Sequence, residues 1–237
     1  MDIQSNYYSK NNPMTGFESA CFGQLDKQVL DKLLSIGTTS RYPKGTFIFC
    51  PGEAGQHVFF LHKGRIKISK LSPTGHEVIL WFCFNGEMFG LSEITRGNDR
   101  AVSAQACEDS QVMSIPRDQF NTFLMHHPIA AFLTLQILSC RMRVLSDMLV
   151  NLVSDDVNTR LAKLILRLGA QYGTREGKVI HLDIHLTHQE IADMIGTTRQ
   201  TATTLLGQFK RQGILSIDNR RILIESEELL HGLLKTS

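Results

Sequence analysis

The spacing of apolar residues changes twice along the chain. Between residues 38 and 116, short apolar runs such as 58–61 and 78–82 are separated by glycines, among them Gly64, Gly75 and Gly86. Such runs with glycine between them are typical of antiparallel strands joined by tight turns. This stretch therefore predicts an antiparallel β-sandwich or β-roll. Residues 17–37 repeat Leu25, Val29, Leu33 and Leu34 at helical spacing and predict a short amphipathic helix that packs on it.

A single long helix is predicted after Pro128. Its apolar residues follow one another in alternating steps of three and four: Leu135, Leu138, Met142, Leu145, Leu149 and Leu152. These steps form an a/d seam on a helix that would extend about 39 Å over residues 128–153. Leaving that seam in water is unfavourable by about 25 cal/mol per Å². The six residues are therefore predicted to pair with the same helix of a second chain, with packing against the chain's own roll as the alternative.

A further helix and a strand are predicted between residues 154 and 186. Ser154, Asp155 and Asp156 supply residues that favour a helix N-cap, and the apolar positions of this helix end before Gly169. The polar residues 170–178 predict a loop, and residues 179–186 predict a strand.

The segment from Leu186 to Gly213 has the pattern of a helix-turn-helix. Thr187 and Glu190 form a capping box, and Gly196 is placed for the turn before a second helix that starts near Thr198. The second helix is expected to bury Ala202, Leu205, Leu206 and Phe209. Residues 214–217 and 221–224 alternate around a short turn and predict a β-hairpin wing.

The opposite face of the second helix carries polar residues that suit DNA bases. Arg199, Gln200, Thr203 and Thr204 cluster near its start. Arginine forms two hydrogen bonds with guanine, glutamine does so with adenine, and a threonine methyl packs on the thymine methyl. Residues 195–224 contain five basic residues and one acidic residue, a net charge of +4, whereas the whole chain carries only +2. We therefore predict that this helix enters a DNA major groove, with a merely solvated face as the alternative.

Composition and motif searches narrow the function classes. Hydrophobic residues make up 42% and charged residues 20%, which excludes wholesale disorder. No run approaches about 18 apolar residues, and residues 1–16 resemble a flexible tail rather than a signal peptide, so a cytoplasmic chain without membrane contact is expected. The sequence contains no Walker loop, dinucleotide-binding fingerprint or catalytic Ser/His/Asp arrangement, and no enzyme is predicted. It also lacks the His-x-His of a cupin enzyme.

Cysteine and histidine spacing predicts no metal site. The five cysteines lie far apart without a CxxC pair, so reduced, packed thiols are expected. His181, His185 and His188 span a predicted strand end and a helix N-cap, which does not favour joint coordination.

The succession of a glycine-spaced roll, a leucine-lined helix and a winged helix-turn-helix resembles the CRP/FNR family of bacterial transcription regulators over residues 17–230. The motifs that carry this resemblance are Lys44-Gly45, Pro51-Gly52-Glu53, Gly64-Arg65-Ile66-Lys67, Gly86-Glu87-Met88-Phe89-Gly90 and the segment 187–206. The resemblance implies an α+β fold with a cyclic-nucleotide-binding-like roll. It divides the chain into a tail (1–16), an effector roll (17–127), a dimerisation helix (128–153) and a DNA-binding domain (154–237).

The resemblance also implies partners. They are a second copy of the chain, a palindromic DNA operator with half-sites about 34 Å apart, RNA polymerase, and an unknown small-molecule effector. Residues 170–178 lie where the family contacts RNA polymerase, which favours an activator. We further expect that an effector in the roll shifts the dimer seam. A hinge at residues 154–156 would convert that shift into a new spacing of the two DNA-binding domains.

The resemblance assigns the family's DNA contacts to matching positions of this chain, one residue at a time. Arg199 matches the family's guanine-reading arginine, whereas Gln200 stands where glutamate is usual and Thr204 where the cyclic-AMP receptor has arginine. An operator related to the familiar one, but not identical with it, is expected. The resemblance places phosphate contacts at four further positions, and two basic residues complete the set: Thr187, Gln189, Thr198, Thr201, Lys210 and Arg211.

The effector region departs from the cyclic-AMP pattern. In cyclic-AMP binders a Gly-Glu pair and an Arg-Ser or Arg-Thr pair hold the ribose and the phosphate, but here the pairs are Gly90-Leu91 and Arg100-Ala101. Arg100 is expected either to bind another anion or to pair with Glu93. The candidate effector set is Gly90, Leu91, Glu93, Arg100, Ala101, Leu145 and Ser146, the last two replacing the residues that would contact adenine. Cyclic AMP is thus not the expected effector, and a cyclic-nucleotide-responsive regulator is kept only as the less favoured alternative.

Two other signals stay open as alternatives. The four-cysteine set of the oxygen-sensing branch is absent, since only Cys21 lies in that region, which excludes an iron-sulfur sensor of that design. A haem gas sensor remains an alternative, because histidines are available in or near the roll, and so does a thiol-based redox sensor. These histidines are His57, His62, His76, His126 and His127.

Overall fold

The computed structural model describes residues 25–95, 97–218 and 221–234. This part of the chain forms two compact units, one of residues 25–141 and the other of residues 142–234. The predicted tail, the beginning of the predicted first helix and the turn of the predicted wing lie outside the described residues.

The first unit contains two four-stranded antiparallel sheets and flanking helices. In chain order its elements are α1 (Lys27–Ser35), β1 (Thr38–Tyr42), β2 (Phe47–Phe49), β3 (His57–Lys63), β4 (Ile66–Leu71), β5 (Glu77–Cys83), β6 (Met88–Phe89), β7 (Ser103–Ala106), β8 (Ser110–Pro116) and α2 (Arg117–His126). One sheet has the strand order β1-β8-β3-β6 and the other β2-β7-β4-β5. Every pair is antiparallel, which confirms the predicted roll.

Two apolar clusters form the interior of the roll. One packs helix residues such as Leu33 and Phe120 against β3 and β8, and the other stacks Phe59 on Phe89 with ring centroids 5.1 Å apart. Gly64 shows why glycine recurs between strands. Its φ is +108°, and a Cβ there would lie 2.2 Å from Ser110 Oγ, so only glycine allows this close approach.

The long helix α3 spans Pro128–Ser154 and confirms the predicted element to within one residue. Of the six predicted seam residues, five are exposed, whereas Leu138 is half-buried and packs against the roll's helix-side cluster. The exposed apolar stripe extends toward the start of the helix through Ile129 and Phe132, which are 67% and 60% exposed. The stripe is therefore longer than the sequence predicted.

Helix α3 also has the length and composition of a membrane-spanning helix. Its most apolar 18-residue window has a mean hydropathy of 1.4, and 33% of that window is buried within the chain. A core helix of a soluble protein meets the same criterion.

The second unit begins with the part of α3 from Met142 onward. It continues with α4 (Val157–Tyr172), β9 (Gly173–Glu176), β10 (Val179–Leu182), α5 (His188–Ile195), α6 (Arg199–Arg211), β11 (Leu215–Asp218), β12 (Arg221–Ile224) and α7 (Glu227–Leu233). Its four strands pair antiparallel in the order β11-β12-β10-β9. The strands β11 and β12 form the predicted wing hairpin.

Three local predictions in this unit were wrong. Helix α4 does not end before Gly169 but runs on to Tyr172, and residues 173–176 form a strand that pairs with β10 instead of a loop. Gly169 serves packing rather than termination, because a Cβ there would lie 2.7 Å from Ile224 Cδ1. The strand predicted for residues 179–186 ends at Leu182.

Candidate nucleic-acid interface

The first helix of the helix-turn-helix starts at the predicted capping box. Thr187 Oγ1 accepts a hydrogen bond from the Glu190 amide at 3.1 Å, and Glu190 Oε2 accepts one from the Thr187 amide at 2.8 Å. At its other end Gly196 adopts the left-handed conformation, with φ 65° and ψ 53°. These two local signals set the direction in which the chain enters α6.

Helix α6 begins at a threonine cap and exposes the predicted reading residues. Thr198 Oγ1 accepts a hydrogen bond from the Thr201 amide at 3.1 Å. Ala202, Leu206 and Phe209 are buried, whereas Leu205 is only half-buried. On the other face Arg199, Gln200, Thr203 and Thr204 are all exposed. The structure therefore brings the four predicted base contacts together on one surface of one helix.

The threonine hydroxyls of α6 are used within the protein. Thr203 Oγ1 donates to Arg199 O at 2.8 Å, and Thr204 Oγ1 donates to Gln200 O at 3.0 Å. Thr198 and Thr201 share a hydrogen bond at 2.9 Å. Because each hydroxyl has one hydrogen, Thr203 and Thr204 retain only acceptor capacity and a methyl group for a ligand.

Among the residues predicted to contact phosphates, Gln189 already uses one hydrogen of its side-chain amide within the protein. It is exposed, but its Nε2 donates to Asp193 Oδ1 at 2.7 Å, and Asp193 is only 8% exposed. Thr187 and Thr198 are exposed N-cap residues, and Thr201 is half-buried. The amide of Gln189 can still donate its second hydrogen.

The basic residues of the interface are available to phosphates. Arg199, Lys210, Arg211 and Arg221 are exposed, and none of them forms an ion pair within the described part of the chain. The predicted charge cluster also includes Arg220, which lies outside the described residues. Exposed cations without an ion pair suit contact with a polyanion.

A network of polar contacts joins the end of α3 to the helix-turn-helix. Lys163 Nζ lies 2.8 Å from Asp155 Oδ2 and 3.0 Å from Asn151 Oδ1. Arg160 donates from Nε to Ile195 O and from Nη1 to Asp155 O, each at 2.8 Å. Asp156 caps α4, and hydrogen bonds from Thr159 lower the pKa of its carboxyl. Asp155 of the predicted hinge 154–156 thus contacts α4, and Arg160 of α4 in turn contacts the end of α5.

In the roll, Arg100 is already paired. Its Nη1 lies 2.5 Å from Glu93 Oε2 and 3.1 Å from Gly90 O, and its Nη2 donates to His57 O. Its guanidinium also lies 4.2 Å from the centre of the Phe49 ring, and the side chain is buried. Of the two roles predicted for Arg100, the geometry shows the ion pair with Glu93.

The other predicted effector residues differ in exposure. Leu91 is buried, Ala101 is exposed, and Gly90 has a positive φ of 70° that brings its backbone next to Arg100. Leu145 and Ser146 are exposed on the second half of α3. Leu145 is 37% exposed.

A second buried arginine was missed by the sequence interpretation. Arg141 of α3 is 6% exposed, donates to Met88 O and lies 5.2 Å from the centre of the Trp81 ring. Nearby Glu87 is also buried, and the burial raises its pKa to about 7 although Arg141 acts against that rise. No local sequence signal marks Arg141 as buried, since exposed Arg143 lies only two residues later on the same helix.

The thiols and histidines that the structure describes show no shared site. Burial raises the pKa of the Cys83 thiol to about 12, so that this cysteine stays protonated and unreactive. Among the described residues, no group of three or more metal-ligating side chains comes together. His181 contacts Glu176 at 3.5 Å, whereas His188 contacts Thr203.

Comparison with known proteins matches both units. A model described as the cyclic nucleotide-binding domain matches residues 39–127, and one described as the Crp-like helix-turn-helix domain matches residues 159–233. The chain is 30% identical to the CRP-like cAMP-activated global transcriptional regulator of Mycobacterium tuberculosis over 80% of this chain and 84% of that protein. It is 32% identical to the global nitrogen regulator of Synechocystis over 88% and 91% of the two chains.

The similarity extends to solved structures. A mutant of CooA from Carboxydothermus hydrogenoformans superimposes with a TM-score of 0.75 and 25% identity. The match covers 86% of this chain and 90% of that one. The roll, the long helix and the helix-turn-helix are therefore shared with proteins of known structure.

Proposed function

The chain belongs to the CRP/FNR family of DNA-binding transcription regulators, and we propose that it binds a palindromic operator in the cytoplasm as a homodimer. The observation that carries this proposal is the start of α6. Arg199 and Gln200 are exposed there, and Arg199 has no ion pair within the described part of the chain. An exposed, unpaired arginine at the first turn of such a helix is placed to form two hydrogen bonds with guanine.

The other contacts follow from position and chemistry. Gln200 suits adenine, and the methyl groups of Thr203 and Thr204 suit thymine. The phosphate contacts are assigned to Thr187, Gln189, Thr198, Thr201, Lys210 and Arg211. These residues lie at the N-termini of α5 and α6 and in the last turn of α6, and helix N-termini favour anions.

The exposed stripe of α3 supports the homodimer. Leu135, Met142 and Leu149 are 61%, 68% and 65% exposed on one helix. Burying that stripe against the same stripe of a second copy removes apolar surface from water and duplicates the reading helix, as a two-fold symmetric operator requires. Leu138 then contributes at the border between the dimer and the roll.

The roll is proposed to respond to a small molecule other than cyclic AMP. The M. tuberculosis relative is named as cAMP-activated, but in this chain Arg100 is buried and paired with Glu93, and Leu91 and Ala101 offer no polar side chain. A phosphate at Arg100 would have to displace that ion pair. Haem-based and thiol-based sensing remain the alternatives, and the hinge contacts of Lys163 and Arg160 support transmission to α5.

We assign the contact with RNA polymerase, and hence activation, to residues 170–178. This region forms the end of α4, strand β9 and the turn that leads to β10, and Thr174, Arg175 and Glu176 are exposed in it. A hydrogen-bonded strand presents a more defined surface than the loop expected from the sequence.

Fluorescence anisotropy with a labelled duplex tests the assignment of the interface. The duplex is first selected by the full chain from random double-stranded DNA. Arg199→Ala is expected to lose about 1 to 3 kcal/mol of specific binding and to relax the preference at one base position. Arg41→Ala, which removes another exposed charge, from β1, is the control and should bind like the wild type. Equal operator preference in both variants contradicts the assignment.

A further inference from the structure

A histidine on α5 holds one of the threonines that face the DNA. His188 is the first residue of α5 and is half-buried, and its Nδ1 lies 2.8 Å from Thr203 Oγ1 on α6. The same hydroxyl oxygen lies 2.8 Å from Arg199 O. The Thr203 hydroxyl is therefore engaged on two sides by the protein itself.

The positions of the hydrogens in this contact follow from what each atom can do. A backbone carbonyl only accepts, so the single hydrogen of the Thr203 hydroxyl must be donated to Arg199 O. The bond from His188 then requires a hydrogen on Nδ1, with Thr203 Oγ1 as its acceptor. In its neutral form His188 is thus the Nδ1–H tautomer.

This pair of bonds fixes the rotamer of Thr203. A threonine in a helix commonly divides between two χ1 rotamers, and turning χ1 here would break both hydrogen bonds. The side chain is exposed, so its methyl group, rather than a hydrogen-bond donor, is left for a ligand. Thr204 differs, because its hydroxyl bonds only to Gln200 O among the described residues, at 3.0 Å.

We propose that His188 is a positioning residue that determines base specificity, since by holding the Thr203 hydroxyl it makes Thr203 a reader of the thymine methyl group. This inference rests on the proposed function, because α6 must lie in the major groove. The hydroxyl hydrogen is unavailable to the acceptor atoms of guanine and adenine, whereas apolar contact with the thymine methyl remains. His188 therefore acts on the base through Thr203.

Replacing thymine by uracil tests the proposal, since uracil lacks only the methyl group. Each thymine of the selected duplex is replaced in turn, and the ratio of the two dissociation constants is measured for the full chain. One position in each half-site should lose about fourfold in affinity for the wild type, as expected for one buried methyl group. Thr203→Ser should abolish the loss at that position alone, and Thr204→Ser should retain it.

The His188 variants separate positioning from a merely structural role. His188→Ala should bring the thymine-to-uracil ratio close to one at the Thr203 position. His188→Asn places an amide N–H where Nδ1–H was and should restore the ratio. Because both duplexes are measured with the same variant, a loss of folded protein cancels from the ratio.

The outcomes distinguish this proposal from the proposed function. A chain that selects no duplex overturns the proposed function itself. A chain that binds its operator specifically, but shows no thymine whose methyl depends on Thr203, overturns only the methyl assignment. A ratio unchanged in His188→Ala, or a long-range proton–nitrogen NMR spectrum showing the Nε2–H tautomer of His188, overturns the role of the histidine.

Discussion

Two arginines of the same chain, Arg100 in the roll and Arg199 on α6, lie in opposite environments. Arg100 is 4% exposed and uses its guanidinium on Glu93, Gly90 O and His57 O. Arg199 is exposed and has no ion pair in the part of the chain that the structure describes. The family resemblance predicts ligand contacts at both positions, but only Arg199 exposes its guanidinium without an ion pair among the described residues.

The contrast extends to the two regions as a whole. In the roll, the charged side chains of the effector region are buried against one another, so they contribute first to folding. In the helix-turn-helix, the described basic side chains are exposed and form no ion pair. Removing one partner of a buried ion pair destabilises the chain, whereas an exposed charge without an ion pair is available for binding. The four predictions that follow test this division.

The largest expected effect is on the roll. Arg100→Ala leaves the Glu93 carboxylate buried without its partner, which should lower the free energy of unfolding by about 3 to 5 kcal/mol. Arg117→Ala is the control, because its partner Asp118 is 85% exposed and such pairs contribute about 0 to 1 kcal/mol. Urea denaturation measures both variants, and equal losses would contradict the division.

The second prediction concerns the stripe on α3. Met142→Lys places an ammonium group in the proposed dimer seam, where burial without a partner costs several kcal/mol. The dimer dissociation constant should rise by roughly 100-fold or more. Sedimentation equilibrium measures it, with Arg143→Ala as the control because Arg143 is exposed outside the predicted seam. A Met142→Lys dimer as stable as the wild type would refute the seam.

The third prediction concerns pH and Glu87. Its pKa is raised from 4.5 to about 7 by burial, so the folded chain holds this proton more tightly than the unfolded chain does. Stability should therefore fall as the pH rises from about 5 to 8, by roughly 2 to 3 kcal/mol from this group. Glu87→Gln should remove that part of the decline, whereas Glu108→Gln, at an exposed position, should not. Urea unfolding across this pH range that declines in parallel in all three proteins would contradict it.

The smallest expected effect is that of one phosphate contact. Lys210→Ala should weaken binding to all DNA sequences alike and reduce the slope of log affinity against log salt by about 1. Lys70→Ala, an exposed lysine of the roll, should leave the slope unchanged. The stability of both variants should match the wild type, in contrast to Arg100→Ala. A sequence-dependent loss in Lys210→Ala would instead indicate a base contact.

The comparison also shows which features the sequence could predict. The caps at Thr187 and Thr198 and the turn at Gly196 depend on residues within three or four positions, and the structure confirms them. Gly169 was misinterpreted because its role depends on Ile224, far along the chain. Likewise, the contact of Arg141 with Met88 O joins residues 53 positions apart. Helix caps can be predicted from neighbouring residues, whereas close packing between elements far apart in the sequence cannot.

The predicted seam was limited in the same way. Regular steps of three and four identified the helix, but the steps alone did not show that Leu138 packs against the roll or that the exposed stripe includes Phe132. The side of a helix that its own domain covers depends on the packing of other elements. The base contacts were predictable in kind from residue chemistry, whereas the hold of His188 on Thr203 required the structure.

The most direct test of the central claim is selection of bound sequences from random double-stranded DNA by the full chain, followed by footprinting of the recovered sites. The account predicts a two-fold symmetric motif whose half-sites lie about 34 Å apart, each protected over the major groove that α6 enters. The account would be contradicted if no symmetric motif were recovered, or if only one half of each site were protected. Either result would show that two copies of α6 do not bind the DNA together.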